Sequence, residues 1–456
     1  MFDWNSCISF RRFGPKHSMS DARSDFRRDY DKIIFLSAFR RLQNKTQVFP
    51  LPGNVFVHNR LTHSLEVSCV GRSIGHIVGS QIAKKYKETL PSTVRKFYRY
   101  DLEDVIASAC LAHDVGNPAF GHSGEKAISN YFITHEDIKI GEKTLRSYFS
   151  QEEWTDVTHF EGNANALRML THHYPGRVDG GQRLMYLTLV SIIKYPCGSI
   201  ETNKTNLANK KYGYFQSDVA NFRNISDEFG IPFSKNIRHP FVYIVEAADD
   251  ICYRIIDMED AHRIGIIEQS TISKLFLTLI LELKGNNEFN QISQRYYAIG
   301  DANEAISFLR AKCILYLVEK VAELFVANER EILEGTLNAS LLDLAALEVP
   351  VLEEINAISI SKIYNHKSVI EIEMAGYTVM SELLSQFIVA ALRDNRTSLQ
   401  TKLLQLVPSQ FQTFSDPSSY TRVMSILDFV SGMTDGYATE LYRKIKGIDI
   451  PSHTGY

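Results

Sequence analysis

Apolar residues recur at three- and four-residue intervals along most of this chain, and that pattern commits it to burying helical stripes. From Thr62 to about Tyr86 the spacing is helical. A second helix is expected over Asp101 to Ala112, where an acidic start precedes Val105, Ile106, Ala109 and Cys110, with Gly116 and Pro118 ending it. A third begins near Phe241 and sets Ile244, Val245, Ala248, Ile251 and Ile255 on one broad stripe. Alternating strand patterns bounded by turn signals are nearly absent. The expected fold is all-α.

With 456 residues, 44% of them hydrophobic and 23% charged, the chain can bury a large core, which excludes disordered and fibrous classes. A formal net charge of −3 leaves no global positive field, so an anionic ligand needs a local basic pocket. Six scattered cysteines form no CxxC pair, which argues against a disulfide framework or a structural zinc site and for a reducing cytoplasm. The first residues carry charge without a signal-like apolar run. The most apolar stretch, Leu275 to Leu283, is too short to span a bilayer, so no membrane partner is expected. Two polar stretches, Ile133 to Asp156 and Gly198 to Pro240, read as functional loops or insertions. A boundary is placed near residue 267, with one or two domains open.

The sharpest local feature is LAHDVGNPAFGHSGEKAI (111–128), where His113 and Asp114 emerge together at a helix end. Imidazole and carboxylate suit a divalent cation of the Mn, Fe, Co or Mg type. A lone His-Asp pair is equally an interior histidine followed by a helix-end turn residue. Two further segments weigh against that: NRLTHSLEV (59–67) sets His63 near a helix start, and EAADDICYRIIDMED (246–260) sets Asp249 inside a helix. Asp250 is the poorer candidate, since a neighbour on a helix points about 100° away. His122 and Glu125 stand three apart past the Gly121 turn, so the carboxylate can orient the imidazole, although helix capping explains the same spacing. Tyr253 and Asp257 follow Asp249 at four-residue steps on one polar face, with a solvated helix face as the alternative.

Together with FRRDYDKIIF (26–35), RRLQNKTQVFPL (40–51), THFEGNA (158–164), KKYGYFQSD (210–218) and SGMTDGYA (431–438), these segments occur in an order that resembles the deoxyguanosine triphosphate triphosphohydrolases of the HD superfamily. The resemblance runs nearly end to end. It implies a helical catalytic core over 1–266, carrying the N-terminal segment and insertions, and a helical C-terminal region over 267–456. His63, His113, Asp114 and Asp249 would ligate Mn²⁺ or Mg²⁺, with Fe²⁺, Co²⁺ or Ni²⁺ as other occupants. His122 would be the catalytic acid/base and Glu125 its orienting carboxylate. Arg60, Lys194, Lys211 and Tyr212 would meet phosphates, Tyr253 and Asp257 the nucleotide, and Gln47 and Val48 the sugar edge, where they would exclude a 2′-hydroxyl. His159, Glu161 and Asn163 belong to a further landmark without individual roles.

The implied reaction is metal-dependent hydrolysis of a deoxynucleoside triphosphate (dNTP) to deoxynucleoside and triphosphate. The alternatives are another HD phosphohydrolase, such as a 5′-deoxynucleotidase, or a regulatory module that binds dNTP or single-stranded DNA. The resemblance also implies a homo-oligomer, a hexamer built from dimers, and a dNTP or single-stranded DNA effector.

Overall fold

Three glycines at four-residue spacing, Gly71, Gly75 and Gly79, decide how the first long helix packs. They lie in the helix Arg60–Lys85 and face the segment that leads into and forms the helix Leu102–Ala112. A β-carbon at Gly71 would stand 2.4 Å from Cys110 Sγ, and one at Gly79 would stand 2.0 Å from the Tyr98 carbonyl oxygen. Backbone therefore approaches backbone, and the His63 and His113 helices are drawn together. The helix Val242–Arg263 packs across both, and Ala302–Ala327 closes the other side.

A computed structural model describes residues 2–15, 23–49, 57–175, 179–233 and 235–449. The fold is all-α, as the periodicity requires. Among the described residues the strand content is one small antiparallel hairpin, Lys139–Ile140 with Lys143–Thr144, in register Lys139 to Thr144. The three expected helices are observed as Arg60–Lys85, Leu102–Ala112 and Val242–Arg263. Pro50 and Leu51, the end of the RRLQNKTQVFPL segment, lie outside the described residues.

Apolar side chains gather in two cores. The first fills the space among the helices just described and continues through Gln269–Ala298 and Ala302–Ala327, so position 267 lies inside it. The second is built around the helix Lys367–Leu392, which packs on Gly121–Thr134 and on Ser419–Ser431. Lys367–Leu392 is long and apolar enough by length and composition to cross a membrane, a feature the apolar-stretch reading overlooked. More than half of its apolar window is buried, and Leu383, Leu384, Phe387 and Ile388 form the heart of the second core.

The polar stretch 133–156 holds more order than a loop: besides the hairpin, it enters the helix Gln151–Thr158. Ser150 and Glu153 cap that helix reciprocally, Ser150 Oγ accepting from the Glu153 amide at 3.2 Å and Glu153 Oε2 from the Ser150 amide at 2.8 Å. The S-x-x-E signature was present in the sequence, and the surrounding polar residues masked it. The second stretch is irregular apart from short turns and the helix Val219–Glu228.

Candidate active site

Asn59 fixes where the first histidine stands. Its side chain accepts from the Thr62 amide at 2.9 Å while its own amide donates to Thr62 Oγ1 at 3.0 Å, a reciprocal cap that starts the helix and sets His63 in its first turn. His113 follows the end of Leu102–Ala112, where its Nδ1 donates to the Cys110 carbonyl at 2.6 Å. A carbonyl can only accept, so Nδ1 carries a proton and Nε2 is the ring nitrogen turned toward the site. That Nε2 is buried without a hydrogen bond, 3.4 Å from Asp249 Oδ1. Asp249 Oδ1 also lies 3.0 Å from His63 Nε2. One ligand atom from each of His63, His113 and Asp249 falls within 4.8 Å of the others. Two imidazoles and a carboxylate, with His113 Nε2 buried and making no hydrogen bond among the described residues, fit a divalent cation.

Asp114 stands just outside this triplet. Its Oδ1 is 3.5 Å from His113 Nε2 and accepts from Asn117 Nδ2, while its Oδ2 accepts from Arg60 Nη1 at 2.7 Å. Burial would raise the Asp114 pKa, but Arg60 and His113 outweigh it and hold the carboxyl below its usual range. Burial acts on Asp249 in the same direction, and His113 and His63 overcome it more strongly. For His113 burial favours the neutral ring, yet the Asp114 and Asp249 charges carry its pKa up to about 9.

The second catalytic candidate begins at an unusual turn. Phe120 adopts a left-handed conformation (φ 60°, ψ 17°) and Gly121 follows at φ 56°, reversing the chain into the helix Gly121–Thr134. A β-carbon at Gly121 would sit 2.4 Å from Arg60 Nη2, so only glycine lets the guanidinium lie against this turn. One residue later His122 projects outward with 62% of its side chain exposed, its Nδ1 donating to Glu125 Oε2 at 2.8 Å. Glu125 Oε1 accepts the Gly162 amide at 2.7 Å. Both carboxylate oxygens are thus engaged, and His122 Nε2 is the free ring nitrogen. Burial would raise Glu125, but His122, Lys211 and the Gly162 amide keep it ionised, below its ordinary value.

His113, Asp114, Asp249, His122 and Glu125 line a cavity of about 250 Å³ together with Arg60, Lys194 and Lys211. A neighbouring cavity of about 380 Å³ is lined by Gln47, Val48, Tyr364 and Arg254, and the two share Arg60, His122, Asp250 and Tyr253. The Tyr253 ring stands edge-on to His63 at 5.4 Å between centroids. Both amide atoms of Gln47 are buried with no hydrogen-bond partner among the described residues.

Residues 60–195 match the family described as HD domain, and residues 350–444 match the Phosphohydrolase-associated domain. A deoxyguanosinetriphosphate triphosphohydrolase-like protein of Synechocystis sp. is 36% identical, over 98% of this chain and 100% of its own length. The protein of that description from Pseudomonas aeruginosa is also 36% identical, over 99% and 100%. The chain belongs to the deoxyguanosinetriphosphate triphosphohydrolase family of the HD superfamily. A Salmonella typhimurium protein named deoxyguanosinetriphosphate triphosphohydrolase, without the suffix, is 30% identical over 93% of this chain and 94% of its own. The chain is accordingly an HD-domain hydrolase.

In this family member the remaining candidates separate into those that reach the cavities and those that do not. Lys194 and Lys211 reach the first cavity, but each faces a carboxylate: Lys194 lies 3.2 Å from Glu246 and Lys211 2.9 Å from Glu161. Burial lowers both ammonium pKa values, and those carboxylates more than restore them. Tyr212 does not enter this cavity. It is buried, with its hydroxyl donating to the Asp156 carbonyl at 2.8 Å. Asp257 is buried as well, which overturns the solvated-face alternative. Its Oδ2 accepts from the Tyr364 hydroxyl at 2.8 Å, and burial pushes its pKa up to about 8. Glu161 and Asn163 line the cavity, whereas His159 is exposed and lines an adjoining groove that shares Glu125, Glu161 and Lys211 with it.

Four residues went unread as contributors. Asn117 steadies Asp114, and its place inside HDVGNP was the signal. Asp250 lines both cavities although it is the helical neighbour of Asp249, and burial pushes its pKa up to about 7. Lys45 and Asp435 tie distant segments together, and no local pattern announces them.

Proposed function

We propose that this protein hydrolyses deoxynucleoside triphosphates, dGTP among them, to deoxynucleoside and inorganic triphosphate. The observation that carries the reading is the pairing of two neighbouring cavities: one is lined by His113 and Asp249 of the candidate cation triplet together with the His122–Glu125 pair, and the other is lined by Gln47, Val48 and Tyr253. The names of the Yersinia enterocolitica and Salmonella typhimurium relatives supply the dGTP.

His63, His113 and Asp249, with Asp114 beside them, would hold a Mn²⁺ or Mg²⁺ ion, which would supply charge to polarise a phosphate oxygen and to lower the pKa of water. Arg60, at the junction of the two cavities, meets the phosphate nearest the sugar, while Lys194 and Lys211 offer charge to the phosphates beyond it. Both lysines would then exchange a carboxylate neighbour for phosphate. Gln47 and Val48 meet the sugar edge, and Tyr253 packs on the sugar ring. Water adds to Pα, the bond from Pα to the 5′-oxygen breaks, and His122 moves a proton through Nε2 with Glu125 fixing its ring. The triphosphate leaves as one piece because neither phosphoanhydride bond is touched.

Incubation with dGTP and Mn²⁺ or Mg²⁺ is expected to yield deoxyguanosine and intact triphosphate. Release of dGMP with pyrophosphate, or of orthophosphate from a monophosphate alone, would refute the reading. A cytoplasmic homo-oligomer, a hexamer built from dimers, belongs to the same proposal, as does a dNTP or single-stranded DNA effector. A fully active monomer in sedimentation would overturn the assembly.

A further inference from the structure

The SGMTDGYA segment lies more than 300 residues from the metal-binding turn in sequence, yet it holds that turn. Asp435 opens the helix Asp435–Ile445 and is buried, with its two carboxylate oxygens divided between two loops. Oδ2 accepts the Thr46 amide at 2.8 Å and Oδ1 accepts the Phe120 amide at 2.9 Å. Four residues earlier, the Ser431 carbonyl accepts from Lys45 Nζ at 2.9 Å, and the same ammonium donates to the Asn117 carbonyl at 2.6 Å.

Each loop leads directly to a reacting or substrate-facing group. Thr46 precedes Gln47 and pairs across an isolated bridge with Asn59, the cap of the His63 helix. Phe120 occupies a backbone region that side chains other than glycine seldom adopt, and it is the residue from which the helix of His122 and Glu125 departs. A conformation of that kind persists only where the surroundings hold it. The hydrogen bond that its amide donates to Asp435 is one restraint. The other is the ring's seat against Gly376, where an added β-carbon would come within 2.5 Å. Asp435 itself lines a third cavity, which shares Thr46 and Phe120 with the substrate pocket that Asp435 does not enter.

We infer that Asp435 is a positioning residue for the proposed reaction: from outside the pocket it sets the sugar-facing wall and the His122 helix against each other. The inference rests on the dNTP reading. It gives the C-terminal region a task in catalysis, since a carboxylate has the two acceptor oxygens that two separate amides require. An amide side chain has only one.

Asp435→Asn, Asp435→Glu and the unaltered protein would be compared with dGTP and GTP, with metal content, melting temperature and amide exchange followed in parallel. Asp435→Asn keeps the volume and removes one acceptor. It is expected to lower kcat for dGTP by about tenfold and to reduce the dGTP over GTP ratio of kcat/KM by a similar factor, because displacements near 1 Å cost that much or more. Metal content should be unchanged, and exchange at Thr46 and Phe120 should accelerate more than elsewhere. Asp435→Glu should recover much of the ratio. An unchanged ratio with unchanged exchange overturns the inference, as does an equal loss for both nucleotides that tracks melting temperature. Absence of triphosphate release by the unaltered protein overturns the reading beneath it, and the exchange result separates the two failures.

Discussion

The candidate metal end and the proposed nucleoside end of the site are built by different means. At the metal end His63, His113 and Asp249 stand on, or at the end of, three helices that share one core, and the Gly71, Gly75 and Gly79 face removes the side chains that would keep two of them apart. At the nucleoside end Gln47 and Val48 lie on a connecting segment, and their wall is set by hydrogen bonds to residues from the other end of the chain. Packing density makes the first arrangement stiff. The second depends on a few directional bonds whose loss reshapes one wall and leaves the core intact. Damage at the metal end should therefore abolish function outright, and damage at the nucleoside end should alter selectivity.

The largest expected effect is at the metal end. Asp249→Ala and His113→Ala should each lose the bound cation and lower dNTP turnover by more than about 10³-fold, since no neighbouring group replaces a missing ligand of an ion that activates water. Full metal occupancy in Asp249→Ala, read by elemental analysis, would break the assignment. His122 lies between the two ends and tests whether chemistry separates from metal binding. His122→Ala should retain the metal and lower kcat by about 10² to 10⁴, the range for loss of a general acid or base. Glu125→Gln should follow it with a smaller loss. Near-normal kcat in His122→Ala would remove the proton-transfer role.

A smaller effect is expected at the sugar wall. Val48→Ala and Gln47→Ala should leave metal content and dGTP turnover within about tenfold of the unaltered protein, and should raise the relative rate with GTP, since a steric filter is worth only a few kcal/mol. Equal GTP and dGTP rates in the unaltered protein would show that no such filter exists.

The smallest effect separates stability from both ends. His239 is buried in the first core's aromatic cluster, where Nε2 donates to the Cys7 carbonyl at 3.0 Å, and burial lowers its pKa from 6.5 to about 3. The unfolded chain then binds the proton more readily than the folded one between those values, so this contribution is whole above pH 6.5 and fades as pH falls toward 3. Melting temperature should drop by several degrees on acidification within that window. The drop should be shallower in His239→Asn, and an identical slope in the two proteins would remove His239 as its source.

Periodicity and spacing made much of this architecture legible. The helices carrying His63 and Asp249, and the one ending before His113, follow from stripes of Val, Ile and Ala. The i, i+3 spacing of His122 and Glu125 put the pair within reach before any coordinates. Burial changes the meaning of other residues. Asp257, read as a nucleotide contact with a solvated helix face as the alternative, is enclosed and bonded by Tyr364, while Tyr212, read as a phosphate contact, is buried with its hydroxyl on the Asp156 carbonyl. Asp250, set aside by the angle of its neighbour, reaches both cavities because they wrap around that helix face.

By itself the sequence determined the all-α class, the ligand types and the order in which they occur, because helical period, capping residues and side-chain chemistry are local properties. Only the tertiary structure decided that Asp114 is bound by Arg60, that Lys194 and Lys211 face carboxylates, and that Asp435 reaches back to Thr46 and Phe120. These are contacts between segments far apart in the chain. Their partners are chosen by which helices pack together, and no spacing within one segment encodes that choice.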